Sequence, residues 1–338
     1  MRKNLHVVCI VFTILSQFPG HTVAVNTQTG LKDPSRLAIS TSPLWEVSVS
    51  GATSGVGFAS TPEFSVPLLA PSRSVCPRVH AEVGRYRLRL AQSVEDRDAA
   101  CRLRFKVFNI ELGKGLEASY ETGLDTDQFD LFCEHLLVED KLAENDPAHR
   151  IVGTYRMQSG VTAARNLGYY SEQEFGFAPY ESMRGEILEL GRASIDREHR
   201  TPEVLTLLWR GIAQYATDMQ LRYLIGCSSL NSVDPREGWQ MYRQLTNYRA
   251  AAELQTLPAE GFVCPGEHED GQAGSATEEV PESPKVPKLL RTYLAIGARI
   301  CSAPAWDREF GTIDFLTLLD LRAISSSARN RFLAPLAE

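Results

Sequence analysis

The chain has 338 residues, 43% of them apolar and 23% charged, with a formal net charge of -7. That is material for one core of about 200 residues with long flanks, and the absence of a basic excess excludes nucleic acid as a partner. Seven cysteines at long, irregular spacings, with no CxxC pair and no close Cys/His set, exclude a zinc site and fit reduced thiols better than a disulfide scaffold.

At the N-terminus Arg2 and Lys3 precede an apolar run from Leu5 to Phe18, with small residues near Ala24. This predicts a signal-like leader over 1–24, too short for a membrane span. Residues 25–85 are rich in Ser, Pro, Thr and Gly without a sustained period, which predicts a disordered linker. The folded part is expected from Tyr86, where YRLRLA alternates as a strand. Next, Ala100, Leu103, Val107 and Ile110 recur at helical spacing. FCEHLLVED and RIVGTYRMQ read as paired strands joined by a turn-rich segment, and the aromatic stretch from Asn166 to Arg184 as a short helix and a surface loop.

GEILELGRASI is the strongest strand, followed by an amphipathic helix that Pro202 opens. RYLIGCSSL reads as a buried strand, and DPREGWQMYRQL as a helix capped by Asp234 with Pro235 in its first turn. Residues 258–288 carry five prolines and seven acidic residues against two lysines, an inserted, solvated loop. KLLRTYLAIGARIC then predicts a helix, TIDFLTLLDL the last strand, and 323–338 a tail. Strands alternating with helices give an α/β fold with a mixed central sheet flanked by helices.

Charges embedded in these apolar runs carry the chemical signal, because burying them requires partners. They are Arg104, the acidic group Asp125, Asp127 and Asp130, then Arg156, Glu189 and Arg192. Glu189, between Leu188 and Leu190, would have a raised pKa if desolvated and would then serve as a general base; a structural ion pair with Arg156 is the competing reading. Strict alternation places Arg192 on the opposite face from Glu189 unless a bulge at Gly191 re-aims the strand. The LDTDQFD cluster lacks the ligand spacing of a calcium loop. It would hold a cation, either a substrate ammonium or Arg104 and Arg156, or else be a solvated loop. The helix start after Arg197 and Arg200 suits a phosphate, though without a glycine loop. His135 and Cys227 read as structural, because no nucleophile elbow accompanies them.

The order RLRFKVF, DTDQFD, CEHLLV, IVGTYRM, ELGRASI, LLWRGIAQY and GCSSL, with the late PKLLRTYLAIGARICSAPAWDREFGTIDFLTLLDL, resembles the hemolysin-like branch of the GNAT superfamily over residues 86–322. That branch includes ornithine N-acyltransferases, and a more distant likeness reaches the acyl-homoserine-lactone synthases. The resemblance implies a GNAT-like domain over 86–322, interrupted by 258–288. It implies direct transfer of a 3-hydroxyacyl group from acyl carrier protein to the α-amino group of ornithine or a related amino acid, with no metal and no tightly bound cofactor. It assigns catalytic roles to Glu189 and Arg192, substrate contacts to Arg104, Asp125, Asp127, Asp130 and Arg156, and donor phosphopantetheine contacts to Arg197, Arg200 and Thr201. The donor's arm would enter a splay between ILELGRASI and YLIGCSSL. REHRTPE replaces the glycine loop of acetyl-CoA-binding relatives, which favours a carrier-protein donor. The partners implied are acyl carrier protein and an amino-acid acceptor, in the cytoplasm with peripheral membrane contact; the leader keeps export open. The rivals are a synthase of N-acyl amino acid or homoserine-lactone signals, an exported membrane-active hemolysin-like protein, and a non-catalytic acyl-carrier binding module.

Overall fold

Period-2 runs become strands and period-3.6 runs become helices in the computed structural model, which describes residues 77–147, 149–266 and 284–332. The leader, the linker as far as residue 76, residues 267–283 of the insertion and residues 333–338 lie outside the described residues, as do Cys9 and Cys76. Strands β1 (His80–Val83) and β2 (Tyr86–Leu90) lead into helix α1 (Val94–Phe105), which Ser93 caps by accepting from the Asp96 amide. A wider π turn, Lys106–Glu111, and the short α2 (Ser119–Thr122) follow. Strands β3 (Glu134–Asp140) and β4 (Ile151–Ser159), α3 (Gly160–Arg165), two 3-10 turns and β5 (Ile187–Ile195) come next. Then come α4 (Pro202–Asp218), β6 (Tyr223–Leu230), α5 (Pro235–Gln244), α6 (Lys288–Ile296), β7 (Arg299–Ile300), β8 (Ala305–Asp307), β9 (Thr312–Asp320) and α7 (Ser326–Phe332).

These strands form one mixed sheet in the order β1-β2-β3-β4-β5-β6-β9-β7, with β8 also on β9. Alternation assigns its faces. Leu136, Val138 and Val152 pack under α4 with Leu205 and Leu208, whereas Leu137 and Ile151 pack under α1 with Ala100, Leu103 and Val107. The two helices therefore cover opposite faces. Close approach of α4 needs Gly211, where a Cβ would lie 2.9 Å from Leu88 and 3.0 Å from Leu136. Burying a side chain such as Leu208 here contributes about 1.5–3 kcal/mol.

Three expectations are corrected. The sheet starts at His80, before Tyr86, because β1 pairs with β2 although HAEV carries little β signal. The aromatic stretch is no surface loop: Tyr169, Phe175, Phe177 and Tyr180 form a second core with Ile187, Ile225 and Leu316. The tail contains α7, and residues 258–266 of the expected solvated insertion pack onto the domain, reaching β8 through the bridge Val263–Ala305 and the aromatic stretch through Phe175–Pro258.

Among the strands of the described residues β5 and β6 pair in parallel, and the pairing is short. It runs from Ile187–Tyr223 to Glu189–Ile225 and then stops, although both strands continue. At the fork a Cβ on Gly226 would meet the Leu190 carbonyl oxygen at 2.4 Å, so only glycine lets the strands separate at this point.

Candidate active site

A cavity of about 230 Å³ occupies the fork. On the α4 face its wall is apolar, with Tyr155, Trp209, Leu224, Leu289, Tyr293 and Leu319. Tyr155 and Tyr293 join by their hydroxyls at 2.6 Å, and Trp209 meets the Tyr293 ring edge-on. On the opposite face the lining carries the charged and polar side chains Arg156, Gln158, Glu189 and Arg192 among Tyr170, Ile225 and Phe310. One opening through the sheet thus joins an apolar chamber to a charged one.

Glu189 stands at the fork and is 5% exposed. Its Oε2 accepts from the Tyr170 amide at 2.8 Å, and its Oε1 accepts from the Ser171 amide at 2.8 Å and the Ser171 hydroxyl at 2.6 Å. Among the described residues it forms no ion pair, so the pairing with Arg156 is not made. Burial raises its pKa, and the Ser171 and Tyr170 donors only partly oppose this. A buried carboxylate of raised pKa, held by neutral donors and lining a cavity, is equipped to accept a proton.

Arg192 owes its position to a bulge, but at Arg192 itself. The register of β4 and β5 shifts between Thr154–Ser194 and Arg156–Gly191, and Arg192 takes φ 51°, in the left-handed region that costs a non-glycine residue energy. The bulge turns the guanidinium back over the face of Glu189, 4.3 Å from the Phe310 ring centroid and 5.5 Å from that of Tyr170.

The acidic cluster resolves into scaffold. Arg104, on α1, bonds Asp130 at 2.7 Å and Asp125 at 2.8 Å, all three buried. Arg156 reaches Asp127 at 2.6 Å and Asp130 at 3.2 Å. Arg192 reaches Asp125 and Asp127 at the longer distances of 3.4 and 3.3 Å. The D-x-x-D spacing is a capping box: Asp127 accepts from the Phe129 amide, and Asp130 from the Asp127 amide. Burial works to raise the Asp130 pKa, but Arg104 and Arg156 overcome it and hold this carboxyl well below the usual range. Arg104, Asp125, Asp127 and Asp130 do not line the cavity, which corrects their expected substrate contacts. The three carboxylates are matched in charge by Arg104, Arg156 and Arg192 together.

Arg197, Arg200 and Thr201 are also absent from the lining. Arg200 is bound by Glu111 through two contacts of 2.6 Å, Thr201 caps α4 through the Val204 amide, and Arg197 is exposed. His135 is buried, and burial lowers its pKa to about 4, so it is neutral at pH 7. Cys227 lines the cavity, yet burial pushes its thiol well above the ordinary value, the opposite of an activated nucleophile.

The sequence reading missed several residues. Tyr170 and Ser171 hold Glu189 through backbone amides, which no side-chain pattern announces. Gln158 faces Glu189 across β4 and β5, with Oε1 buried and unpartnered. Glu174, Asp307 and Asp314 also line the polar chamber, all buried. Asp314, between Ile313 and Phe315, sits in the same charged-in-apolar setting that drew attention to Glu189.

A family model described as Acetyltransferase (GNAT) domain matches residues 103–210, from the last turn of α1 to the middle of α4. An L-ornithine N(alpha)-acyltransferase of Agrobacterium fabrum is 32% identical over 253 residues, covering 72% of this chain and 83% of the relative. The chain belongs to this acyltransferase family. A second member, from Rhodobacter capsulatus, is 29% identical over 72% of this chain and 93% of its own length. The solved structure of an N-acyl amino acid synthase from uncultured soil microbes covers 73% of this chain and 98% of its own, at 13% identity and a TM-score of 0.41, a likeness too loose to bear on the site. The protein is therefore a GNAT-type enzyme that moves an acyl group from a donor co-substrate. Among the described residues of this acyltransferase no helix is long and apolar enough to cross a membrane.

Proposed function

We propose that the protein transfers a 3-hydroxyacyl chain from the phosphopantetheine thioester of acyl carrier protein to the α-amino group of ornithine, forming a lyso-aminolipid. The observation that carries this reading is the through-sheet cavity, whose apolar chamber suits an acyl chain and whose polar chamber suits an amino acid, with Glu189 at the fork between them. The relatives' name supports the acceptor.

In this reading Glu189 takes a proton from the acceptor's α-ammonium, directly or through one water. The freed amine attacks the thioester carbonyl and forms the C–N bond. Backbone amides of β5 beyond Glu189, which have no β6 partner, are placed to steady the oxyanion. Collapse breaks the C–S bond, and the thiolate leaves with the second amine proton. No acyl-enzyme is involved, in keeping with the raised Cys227 thiol. Arg192, the most loosely paired arginine of the network, is assigned to the acceptor's carboxylate. Arg104, Asp125, Asp127, Asp130 and Arg156 hold Arg192 and the fork in place. The donor's phosphate is assigned to the α4 start beside Arg197 and Thr201, where Arg200 is already engaged by Glu111. A long acyl product keeps the enzyme at the membrane surface on the cytoplasmic side.

The test is acyl transfer by the purified chain from 3-hydroxyacyl carrier protein or the matching CoA thioester to a panel of amino acids, read by mass spectrometry. N-acyl-ornithine formed from the carrier protein in preference to CoA supports the reading. Equal use of CoA overturns the donor, and another acylated amino acid overturns the acceptor.

A further inference from the structure

We propose that Glu174, Asp307 and Asp314 are the seat of the acceptor's side-chain ammonium group, and so the determinant that selects a diamino acid; this rests on the transfer reading above. The three carboxylates come from separate elements: Glu174 from the end of the 170–173 turn, Asp307 from β8 and Asp314 from β9. One oxygen of each lies within 4.8 Å of the others. An ammonium nitrogen offers three N–H donors, and oxygens accepting along tetrahedral directions at about 2.8 Å lie about 4.6 Å apart. The spacing therefore fits one –NH₃⁺ group.

A second observation points to a ligand. Glu174 and Asp314 are 2% and 3% exposed, and Glu174 Oε2 and Asp314 Oδ1 are buried in the cavity lining without a hydrogen-bond partner. Unmade hydrogen bonds on buried carboxylates are costly. Neighbouring groups hold the cluster in shape: Asp307 accepts from the Glu309 and Phe310 amides at 2.9 Å, and Asp314 accepts from the Thr312 hydroxyl at 3.1 Å with the Ser229 hydroxyl opposite it on β6. Among the described residues no arginine or lysine forms an ion pair with any of the three. Of the cations in the cavity wall, Lys114 donates to the Gly311 carbonyl at 3.0 Å, and Arg156 and Arg192 face the Asp127 cluster.

The seat is tied to the catalytic carboxylate by chain geometry. The turn whose Tyr170 and Ser171 amides hold Glu189 ends in Glu174. The Cys227 thiol lies against both Ser171 and Glu174. Two ends of one small acceptor, an α-amine and a side-chain ammonium, would thus be held at a set separation.

The experiment uses the full chain with 3-hydroxyacyl carrier protein and three acceptors: ornithine, lysine and norvaline, the last being ornithine without its side-chain amine. The wild type is expected to favour ornithine over norvaline by about 100-fold or more in kcat/KM, because a site built for a polar group rejects the analogue that lacks it. Asp314→Asn and Glu174→Gln are each expected to raise the ornithine KM at least about tenfold, while norvaline transfer and the donor KM stay within about twofold. Equal use of ornithine and norvaline by the wild type overturns the proposal, as does equal loss of both acceptors in folded variants. Loss of ornithine preference on chelation, restored by a divalent metal, assigns the cluster to a metal ion instead. If no amino acid is acylated from any donor, the transfer reading fails by itself. Calorimetric binding of ornithine against norvaline to wild type and Asp314→Asn then decides the cation seat alone, tighter ornithine binding that the variant loses being the supporting result and its absence the overturning one.

Discussion

Two groups of three acidic residues lie in the interior of this domain, all of them buried except the part-buried Asp127, and their electrostatics run in opposite directions. Asp125, Asp127 and Asp130 are matched by Arg104, Arg156 and Arg192, and these guanidiniums hold Asp127 and Asp130 below their ordinary pKa against the effect of burial. Glu174, Asp307 and Asp314 have no such partner among the described residues, and burial, with the Asp307 charge adding to it, pushes Asp314 up to about 7. Glu189 is intermediate, held by neutral donors and raised. A buried cluster that brings its own counter-ions builds the frame, whereas one that leaves its charge unbalanced is a surface for a cationic guest.

The largest effect that could break this contrast comes from Arg104→Met. It leaves Asp130 and Asp125 with only their longer contacts to Arg156 and Arg192, at 3.2 and 3.4 Å, and is expected to cost about 3–5 kcal/mol, read as a lowered urea midpoint or loss of cooperative unfolding. Unchanged stability would remove the first cluster's role as frame. Glu189→Gln should leave the fold intact and slow transfer by about 100-fold or more, measured in single-turnover assays. Unchanged rates would dismiss Glu189 as the base.

Smaller effects sharpen the picture. Ser171→Ala removes the 2.6 Å donor that favours ionised Glu189, so its pKa should rise further. The acidic limb of kcat/KM is then expected to move up by about one pH unit, and an unmoved limb would separate that limb from Glu189.

For Asp314 the sign is reversed from that of a paired aspartate. Its folded pKa of about 7 lies above the unfolded value of about 3.9, so its contribution to stability is fully present below about pH 4 and is lost as pH rises through about 7. The Ser229 and Thr312 hydroxyls, Asp307, Glu174 and Cys227 are the groups that face it. Asp314→Asn should therefore stabilise the ligand-free protein by more than about 1 kcal/mol at pH 8, and by less at pH 5. A destabilised variant at pH 8 would mean that Asp314 is already balanced, and the contrast between the clusters would fall.

By itself the sequence determined most of the element order. Period and punctuation are local properties: alternation marks β5 and β6, helical spacing marks α1, Pro202 and Pro235 open α4 and α5, and the wording of ELGRASI and its companions carries the family. It also singled out Glu189 and Arg192, because a charge inside an apolar run is visible one residue at a time. Pairing was not visible. Whether Asp125 and Asp130 met a substrate or Arg104 depended on packing α1 against the loop before β3, across 21 and 26 residues of chain. The turn of Arg192 towards the face of Glu189 depended on a register shift that only the neighbouring strand imposes. The aromatic stretch was misjudged as surface because its residues follow no period; they are buried by the sheet they cover. Glu174, Asp307 and Asp314 lie far apart in the chain and share a wall only because β8 and β9 close beside the 170–174 turn. Tertiary structure alone decided which buried charges are balanced, since charge balance depends on distances between segments that local sequence does not set.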